Sequence, residues 1–368
     1  MGERRPIGIG IVGGGYMGKA HAVAMSAVGA VFDTKLRPFL ACVAASSPES
    51  AARYRDAFGF ARAARDWREL VDDPSVEAVI VASPQTTHRE IAEAAFDRGK
   101  PVMCEKPLGA SLADASAMLA AAEEAGVPNM VGFNYVRTPA TQMARRLIAD
   151  GRIGRPIYAR IEHTEDFAGT EETPGTWRST GRGQGTMGDL APHPINCARA
   201  LMGPIASVSA TVETVMPKHA EPNDDQAQMM LRFASGATGH LMASRIAQGR
   251  KMGYAYEVHG TRGMIRFDGE DQNALHLFVA EGPEAERGFK TLLMGPEHPD
   301  YGAFCEGPAH GTGYLAQIVI EARDFLRAIA TGEPVWPTFR EGLEVARVVE
   351  AAWASSESGQ WTETGYEA

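Results

Sequence analysis

The 368-residue chain has few cysteines, no excess of positive charge and no long apolar run. Its four cysteines lie far apart and form no C-x-x-C pair, which argues against a zinc site or a disulfide framework and favours a reducing compartment. The formal net charge of −10 argues against a nucleic-acid partner, because such a partner requires a basic face. No stretch approaches the ~20 apolar residues of a membrane-spanning helix. We therefore expect a cytoplasmic globular protein without a metal, nucleic-acid or membrane partner.

The segment IGIGIVGGGYMGKAHAVAM, near the start of the chain, contains a G-x-G-x-x-G pattern. The pattern follows an apolar strand and precedes a helical repeat, which is where a dinucleotide-binding turn belongs. Gly13 permits the tight turn, Gly15 lets the backbone approach a pyrophosphate, and Gly18 lets the helix pack against the strand. The N–H groups of the helix N-terminus then face the phosphates. The sequence therefore predicts a bound dinucleotide.

Strand and helix patterns alternate through the first third of the chain. Apolar strands such as LRPFLACVAAS and VEAVIVAS alternate with helical patterns such as THREIAEAAFDRG and SLADASAMLAAAEEAG. This alternation predicts a parallel, doubly wound sheet covered on both faces, with its ligand beyond the carboxyl ends of the strands.

The end of the second predicted strand leaves the choice between NAD and NADP open. Many NAD-binding units carry an acid there for the ribose 2′-OH. This chain instead has Ser46 between Ala45 and Ser47, and its next arginines, Arg53 and Arg55, come later. Absence of the acid removes a repulsion against a 2′-phosphate, but no arginine stands at the strand tip to attract one. We expect NAD or NADP near Ser46 and favour NAD.

A set of short motifs resembles the glucose–fructose oxidoreductase / inositol dehydrogenase (Gfo/Idh/MocA) family. The motifs are the glycine pattern, the tripeptide Ala82-Ser83-Pro84 with His88 after it, the tripeptide Glu105-Lys106-Pro107, and the stretches VGFNYVRTPA and GDLAPHPIN. The resemblance implies an α/β protein with two domains. Residues 1–133 would form a Rossmann doubly wound parallel sheet, and residues 134–368 a substrate-binding and oligomerisation domain with a large, mainly antiparallel open sheet.

The sequence of the second domain agrees with that expectation. RPIYARIEHTED alternates as a strand does, and MLRFASGATGHLMAS and YEVHGTRGMIRF are each divided by a glycine-bearing turn. Such strands follow one another without intervening helices, so we expect antiparallel pairing. Two helical patterns come near the end, and residues 282–308, rich in Gly and Pro, are expected to form a long loop near the cleft.

The resemblance also implies two sets of contact residues. The expected cofactor contacts are Gly13, Gly15, Tyr16, Met17, Gly18, Ser46, Ser83, Pro84, His88, Glu105 and Lys106. The expected substrate contacts are Asn134, Tyr135, Arg137, His163, Trp177, Arg178 and Asn196. For Arg137, Trp177 and Arg178, packing at the domain interface is an equal alternative. His163 points either into the cleft or is a plain strand residue.

The stretch GDLAPHPIN places Asp189 four residues before His193. Removing the proton of an alcohol requires a base whose pKa is near the working pH, and histidine suits that task. Asp189 would fix the imidazole tautomer, and Lys106 would stabilise negative charge on the reacting oxygen. Prolines flank the histidine, so we expect the regular helix to begin near Pro194, with Asp189 just before it. Asn196 stands where relatives often have Asp.

Three functions remain open on these residues. The first is an NAD(P)-dependent dehydrogenase acting on a secondary hydroxyl of a sugar, anhydrosugar or cyclic polyol. The second uses a tightly held NAD in a transient oxidation, with hydride exchange between sugars or glycosidic cleavage. The third is a non-catalytic regulator that senses nicotinamide or a sugar, against which Lys106, Asp189 and His193 argue. A free sheet face predicts a homodimer or homotetramer.

Overall fold

A computed structural model describes residues 4–170, 181, 183–216 and 223–366. The chain divides into two compact units. The first consists of Met1–Arg137 and Gly313–Leu343, and the second of Thr138–Thr312 and Glu344–Ala368. The division expected from the sequence, at 133/134, gives each domain one continuous stretch. In the structure, a segment close to the end of the chain packs with the first unit.

The described strands of the first unit form one parallel sheet. They are β1 (Arg5–Val12), β2 (Leu36–Ala44), β3 (Arg62–Ala63), β4 (Ala78–Val81), β5 (Val102–Glu105) and β6 (Asn129–Gly132). Their order is β3-β2-β1-β4-β5-β6, which is the order of a Rossmann sheet. The predicted doubly wound parallel sheet is confirmed.

The strands of this sheet are apolar on both faces, as parallel strands covered by helices must be. Residues such as Ile9, Ile11, Val79 and Ile80 are completely buried. The covering helices are α1 (Tyr16–Val31), α2 (Pro48–Phe58), α3 (Trp67–Asp72), α4 (His88–Phe96), α5 (Leu112–Ala125) and the late α9 (Tyr314–Thr331), which packs on α1.

Side-chain caps explain where several of these helices begin. Ser47, Asp66 and Ser111 each accept a hydrogen bond from the backbone N–H three residues later. Such caps satisfy N–H groups that have no partner inside the helix. The glycines Gly59 and Gly126, at φ of +79° and +62°, end α2 and α5.

The second unit is built on a nine-stranded sheet within its described residues. The strands are β7 (Pro156–Thr164), β8 (Ile205–Glu213), β9 (Gln226–Phe233), β10 (Thr238–Ser244), β11 (Gly253–Gly260), β12 (Gly263–Asp268), β13 (Ala274–Val279), β14 (Lys290–Leu293) and β15 (Thr362–Glu363). Their order is β14-β13-β12-β11-β7-β10-β9-β8-β15. Most pairs are antiparallel, and both predicted hairpins, β9–β10 and β11–β12, are confirmed.

Two details differ from the sequence-based expectation. β7 and β10 pair in parallel, from Tyr158 beside Thr238 to Thr164 beside Ser244. The long intervening chain, which includes helices, provides the crossover that a parallel pair requires. The expected loop 282–308 contains β14, a short edge strand paired with β13. β14 is mostly exposed, so it lacks the apolar alternation that identifies a strand.

Helices cover one face of the second sheet. They are α6 (Pro139–Ala149), α7 (Thr186–Asp189) and α8 (Pro192–Met202), with α6 and α8 in contact with strands of the sheet. α10 (Phe339–Ser358) is the last helix in the described chain. Along β9, Met229 and Leu231 are buried, whereas Gln228 and Met230 point to the opposite face and are exposed. None of the helices in the described ranges is both long and apolar enough to cross a membrane.

Candidate active site

The turn between β1 and α1, residues 13–18, requires glycine at two positions. Gly13 has φ +109° and donates its N–H to the Ala44 carbonyl over 2.8 Å. A Cβ at Gly13 would lie 2.3 Å from the Ala82 carbonyl oxygen. A Cβ at Gly18 would lie 2.0 Å from the Gly13 carbonyl oxygen, so α1 could not approach β1 with any side chain there.

Gly15 stands in open space at the N-terminus of α1. A Cβ at Gly15 would meet no heavy atom within 4 Å, and the glycine is exposed. α1 begins at Tyr16 without a side-chain cap, and its described first turn carries no acidic residue. Its first N–H groups are thus available to an anion, which the helix dipole also favours. The turn fits the pyrophosphate of a dinucleotide.

Three tyrosines gather at the start of α1. The Tyr16 ring, whose residue is 71% exposed, stacks on Tyr314 at 5.6 Å between centroids, and Tyr135 lies 6.3 Å from Tyr314. The Tyr314 hydroxyl donates to the Met17 sulfur over 3.0 Å. Burial, with Tyr135 and Glu105 nearby, raises the pKa of Tyr314, so its hydroxyl remains protonated. Tyr314 thus contacts two of the expected cofactor residues, Tyr16 and Met17.

Ser46 is exposed immediately beyond β2, at the edge of the sheet where ligands bind. The later arginines have partners of their own, since Arg53 donates to Ser50 and Arg55 pairs with Asp56. Tyr54 of α2 is a further residue that the sequence did not indicate. Its ring lies so close to the glycine turn that a Cβ at Gly14 would be 1.8 Å from it.

His88 is buried between two segments that carry expected cofactor contacts. Its Nε2 lies 2.9 Å from the Ser83 carbonyl oxygen and its Nδ1 lies 3.0 Å from the Pro107 carbonyl oxygen. Burial lowers the pKa of His88, which favours the neutral ring. Pro84, after Ser83, is exposed. His88 therefore connects these two segments, and direct contact with the cofactor stays a prediction.

Lys106 follows the last residue of β5 and is half-buried. The preceding Glu105 is buried and lies 2.7 Å from Nε2 of His21 on α1. This pair connects the end of β5, just before Lys106, to the helix that begins at the glycine turn. The sequence did not single out His21.

Three expected substrate contacts lie on a 3₁₀ turn at Asn134–Arg137. Asn134 donates to Gln317 of α9 over 2.9 Å, and Arg137 pairs with Asp324 of α9 at 2.5 Å. Arg137 also donates to the Trp336 carbonyl over 2.6 Å. These contacts within the first unit explain the burial of Asn134 and Arg137, and their contact with substrate stays a prediction.

Glu321 of α9 is a buried acid that the sequence did not indicate. The residue is completely buried, and neither carboxyl oxygen has a hydrogen-bond partner in the described part of the chain. Burial, and then the nearby Glu105, raises the pKa of Glu321 well above its usual range, against the effect of Arg137. Burial in the folded protein therefore favours the protonated form of Glu321.

In the second unit, Asp189 and His193 lie on either side of a helix break. Asp189 is the last residue of α7, and α8 begins at Pro192, two residues earlier than the sequence predicted. Pro192 and Pro194 both lie in the first turn of α8, where a missing N–H costs little. His193 is 6% exposed, and Asp189 is half-buried.

His163 of β7 lies beside His193, with the two ring centroids 5.4 Å apart. His163 Nε2 is 3.0 Å from a carboxyl oxygen of Glu165, and the Tyr254 ring packs edge-on at 5.7 Å. Asn196 is buried on α8. His163, His193 and Asn196 are thus all buried residues of the second unit, while Trp177 and Arg178 lie outside the described residues.

Comparison with known proteins identifies the family. Residues 7–133 match the model of the oxidoreductase family with an NAD-binding Rossmann fold, and residues 141–266 match that of the GFO/IDH/MocA C-terminal domain. The chain is 36% identical to levoglucosan dehydrogenase of Pseudarthrobacter phenanthrenivorans, over 97% of this chain and 98% of that protein. This chain belongs to the Gfo/Idh/MocA family.

Other known proteins also resemble the chain over most of its length. Inositol 2-dehydrogenase of Rhizobium meliloti is 27% identical over 93% of this chain and 94% of its own. The solved structure of a levoglucosan dehydrogenase in complex with NADH and levoglucosan has a TM-score of 0.96 and 36% identity, covering 98% of this chain and 100% of its own. The resemblance noted in the motifs is confirmed, and the chain is an oxidoreductase of this NAD-binding family.

Proposed function

We propose that this chain is an NAD-dependent dehydrogenase that oxidises a secondary hydroxyl of a sugar, an anhydrosugar or a cyclic polyol. The observation that carries the proposal is the buried His193–His163 pair, with Asp189 four residues before His193, in a chain whose first unit holds a glycine turn open to a pyrophosphate. Full-length similarity to levoglucosan dehydrogenase makes the anhydrosugar levoglucosan the first substrate to test.

Proton transfer is the task of three side chains in this proposal. His193 accepts the hydroxyl proton as general base, since its ordinary pKa lies near neutral pH. Asp189 orients the imidazole and stabilises its cation, and Lys106 stabilises negative charge that develops on the reacting oxygen. Bound NAD would supply the hydride acceptor.

Binding is divided between the two units in this proposal. The first, with residues 1–133 as its main part, holds the cofactor through the glycine turn and Ser46. The second binds substrate hydroxyls through polar side chains such as His163 and Asn196, and Trp177 and Arg178 are further candidates there. Asn134, Tyr135 and Arg137, at the end of the first stretch of the first unit, are candidate substrate contacts as well. A site that pairs several hydroxyls in this way selects strongly against analogues that lack one.

The test is the reduction of NAD and NADP, followed at 340 nm, with levoglucosan, inositols and aldoses as substrates. We expect Lys106→Ala and His193→Ala to lower kcat by orders of magnitude, because each removes a group that acts in the transition state. Affinity for NADH, measured by fluorescence titration, should stay nearly unchanged. Lys35→Ala, at an exposed lysine of the first unit, is the matched control.

Other results would contradict the proposal. Full activity of His193→Ala across the pH range would exclude His193 as the base. A nicotinamide cofactor that stays bound through purification, with no net reduction by any substrate, would instead favour the transient-oxidation alternative.

We also propose that the free face of the second sheet binds another copy of the chain, giving a homodimer or homotetramer. This face carries exposed Met230 and a depression of about 570 Å³ lined by groups of both signs. The lining includes Arg160, Arg266, Glu257 and Asp268, and a two-fold partner can pair such charges reciprocally.

Four free thiols support a reducing, cytoplasmic location.

A further inference from the structure

The segment Asn223–Asp225, which precedes β9, is a buried polar group in the second unit. Its three side chains belong to residues no more than 1% exposed. Buried polar and charged side chains are costly unless they are hydrogen-bonded, so their partners indicate what they hold in place.

Asp225 connects the ends of two strands. One of its carboxyl oxygens accepts from Arg245 Nε at 2.9 Å and Nη2 at 2.8 Å, and Arg245 follows β10. The other oxygen accepts from the backbone N–H groups of Val215 and Met216, just after β8, at 2.8 and 2.7 Å. Arg245 also donates to the Asn223 side chain. The carboxylate is therefore fully satisfied and fixes the position of the segment.

Asp224 makes a different contact, with the first turn of α7. Its carboxyl oxygen accepts from the Met187 N–H at 2.6 Å, and its backbone carbonyl accepts from the Thr186 N–H at 3.0 Å. The Thr186 hydroxyl donates to the Asp225 carbonyl over 2.8 Å. Asp224 thus caps α7 from a distant part of the chain. In many helices a side chain at the N-cap position makes this hydrogen bond instead.

Gly185 leaves room for that cap. It occupies the N-cap position of α7 and offers no side chain of its own. A Cβ at Gly185 would lie 2.2 Å from Asp224 Oδ1, so any side chain there would displace the carboxyl group. The glycine and the aspartate therefore form one arrangement.

Asp189 is fixed by the same turn. Its N–H donates to the Gly185 carbonyl over 2.8 Å, and the Leu190 N–H donates to the Thr186 carbonyl over 2.9 Å. His193 follows with its N–H on the Leu190 carbonyl at 3.1 Å. A shift at the start of α7 would consequently move Asp189 relative to His193.

We propose that Asp224 is a positioning residue, whose carboxylate holds α7 and thereby holds Asp189 in the geometry that proton transfer at His193 requires. The catalytic part of this inference rests on the proposed function. Burial raises the pKa of Asp224 to about 6, against the Met187 N–H and Arg245, which lower it. Above that pH the cap is a charge-assisted hydrogen bond, the stronger kind.

The kinetic test compares Asp224→Ala, Asp224→Asn and Gly185→Ala with the unaltered chain. We expect Asp224→Ala to lower kcat about 10- to 100-fold, the cost of misplacing a catalytic group by roughly 1 Å, with little change in NADH affinity. Asp224→Asn retains a side-chain oxygen acceptor and should recover part of the loss. Glu213→Ala, at an exposed acid nearby on β8, is the control and should leave kcat unchanged.

A second readout does not depend on activity. Selective ¹⁵N labelling of methionine allows the Met187 amide to be observed, with Met187→Leu assigning its resonance. We expect this amide to exchange slowly with deuterium in the unaltered protein and quickly in Asp224→Ala and Gly185→Ala. It should also shift near pH 6, as the carboxyl group titrates.

The two readouts separate the two proposals. An inactive unaltered protein whose Met187 amide behaves as expected would reject the proposed function and retain the structural role of Asp224. Unchanged kcat in Asp224→Ala, or unchanged exchange at Met187, would overturn the positioning role. If Asp224→Ala does not fold, Asp224→Asn and Gly185→Ala decide the question by the same two measurements.

Discussion

Ser46 is the residue for which the choice between NAD and NADP is most directly testable. It is exposed beyond β2, where a carboxylate in other dinucleotide-binding units accepts from the ribose 2′-OH. We expect Ser46→Asp to raise KM for NADP at least about tenfold more than KM for NAD, because the new charge repels a 2′-phosphate at short range. Initial rates with both cofactors measure the ratio.

Ser46→Asn is the matched control, since asparagine has nearly the shape of aspartate but carries no charge. We expect it to change the two KM values by similar factors. If Ser46→Asp also affects both cofactors equally, position 46 does not face the ribose 2′ group.

Some site residues could be predicted from the sequence and others could not. The glycines of residues 13–18 were predictable because the turn depends on residues close in sequence. Asn134 and Arg137 were predicted as substrate contacts, and their partners Gln317 and Asp324 lie more than 180 residues later. No local pattern indicates such a partner. The cap that Asp224 makes on α7 could not be predicted for the same reason, since Met187 lies 37 residues earlier.

At the scale of elements, α1 contains two glycines in opposite surroundings. Gly18 is enclosed by the Gly13 carbonyl, whereas a Cβ at Gly29 would meet no heavy atom within 4 Å. We expect Gly18→Ala to destabilise the fold by about 1–3 kcal/mol or more and to abolish NADH binding, because α1 must move away from β1. Thermal unfolding and fluorescence titration measure the two effects.

Gly29→Ala makes the same chemical change near the other end of α1. We expect it to stabilise the protein by about 0.5–1 kcal/mol, since alanine favours a helix, and to leave NADH binding intact. Equal NADH affinity in the two variants would show that the close approach at Gly18 does not shape the binding turn.

The raised pKa of Glu321 on α9 predicts that the stability of the protein depends on pH. Its pKa is raised in the folded protein, so the stability it contributes is complete below its unfolded pKa and is lost as the pH rises through the folded value. We expect Glu321→Gln, which keeps the shape of the protonated acid, to reduce this loss. We expect the thermal unfolding midpoint of the variant to increase relative to that of the unaltered protein as the pH rises from 5 to 9.

Glu350→Gln, at an exposed acid of α10, is the control and should leave the pH profile unchanged. A Glu321→Gln profile parallel to that of the unaltered protein would mean that Glu321 does not carry its proton across this range.

The helices and strands, like the site residues, include some that the local sequence predicts and some that it does not. β1, α1 and the hairpins β9–β10 and β11–β12 depend on periodicity and turn glycines, which are local and were predicted. The parallel pairing of β7 with β10 joins strands that are far apart in the sequence, so no local pattern predicts it. β14 is defined by its hydrogen bonds to β13, and an exposed edge strand leaves little trace in the sequence.

For the whole molecule, the exposed face of the second sheet determines whether copies associate. Met230 is 49% exposed there, and we expect Met230→Glu to weaken self-association because it places a charge in a buried contact. Light scattering coupled to size-exclusion chromatography measures the mass. Val23→Glu, on α1, should leave it unchanged, and a monomeric unaltered chain would contradict the proposed oligomer.

The return of α9 to the first unit also has a consequence for synthesis on the ribosome. The parallel sheet is complete by β6, yet the helix that packs on α1 begins only at Tyr314. At about 5 to 20 residues per second, translation from Arg137 to the start of that helix takes roughly 9 to 35 seconds. During this interval the nascent first unit exposes the apolar side of α1, which makes it a natural client for chaperones that bind unfinished chains.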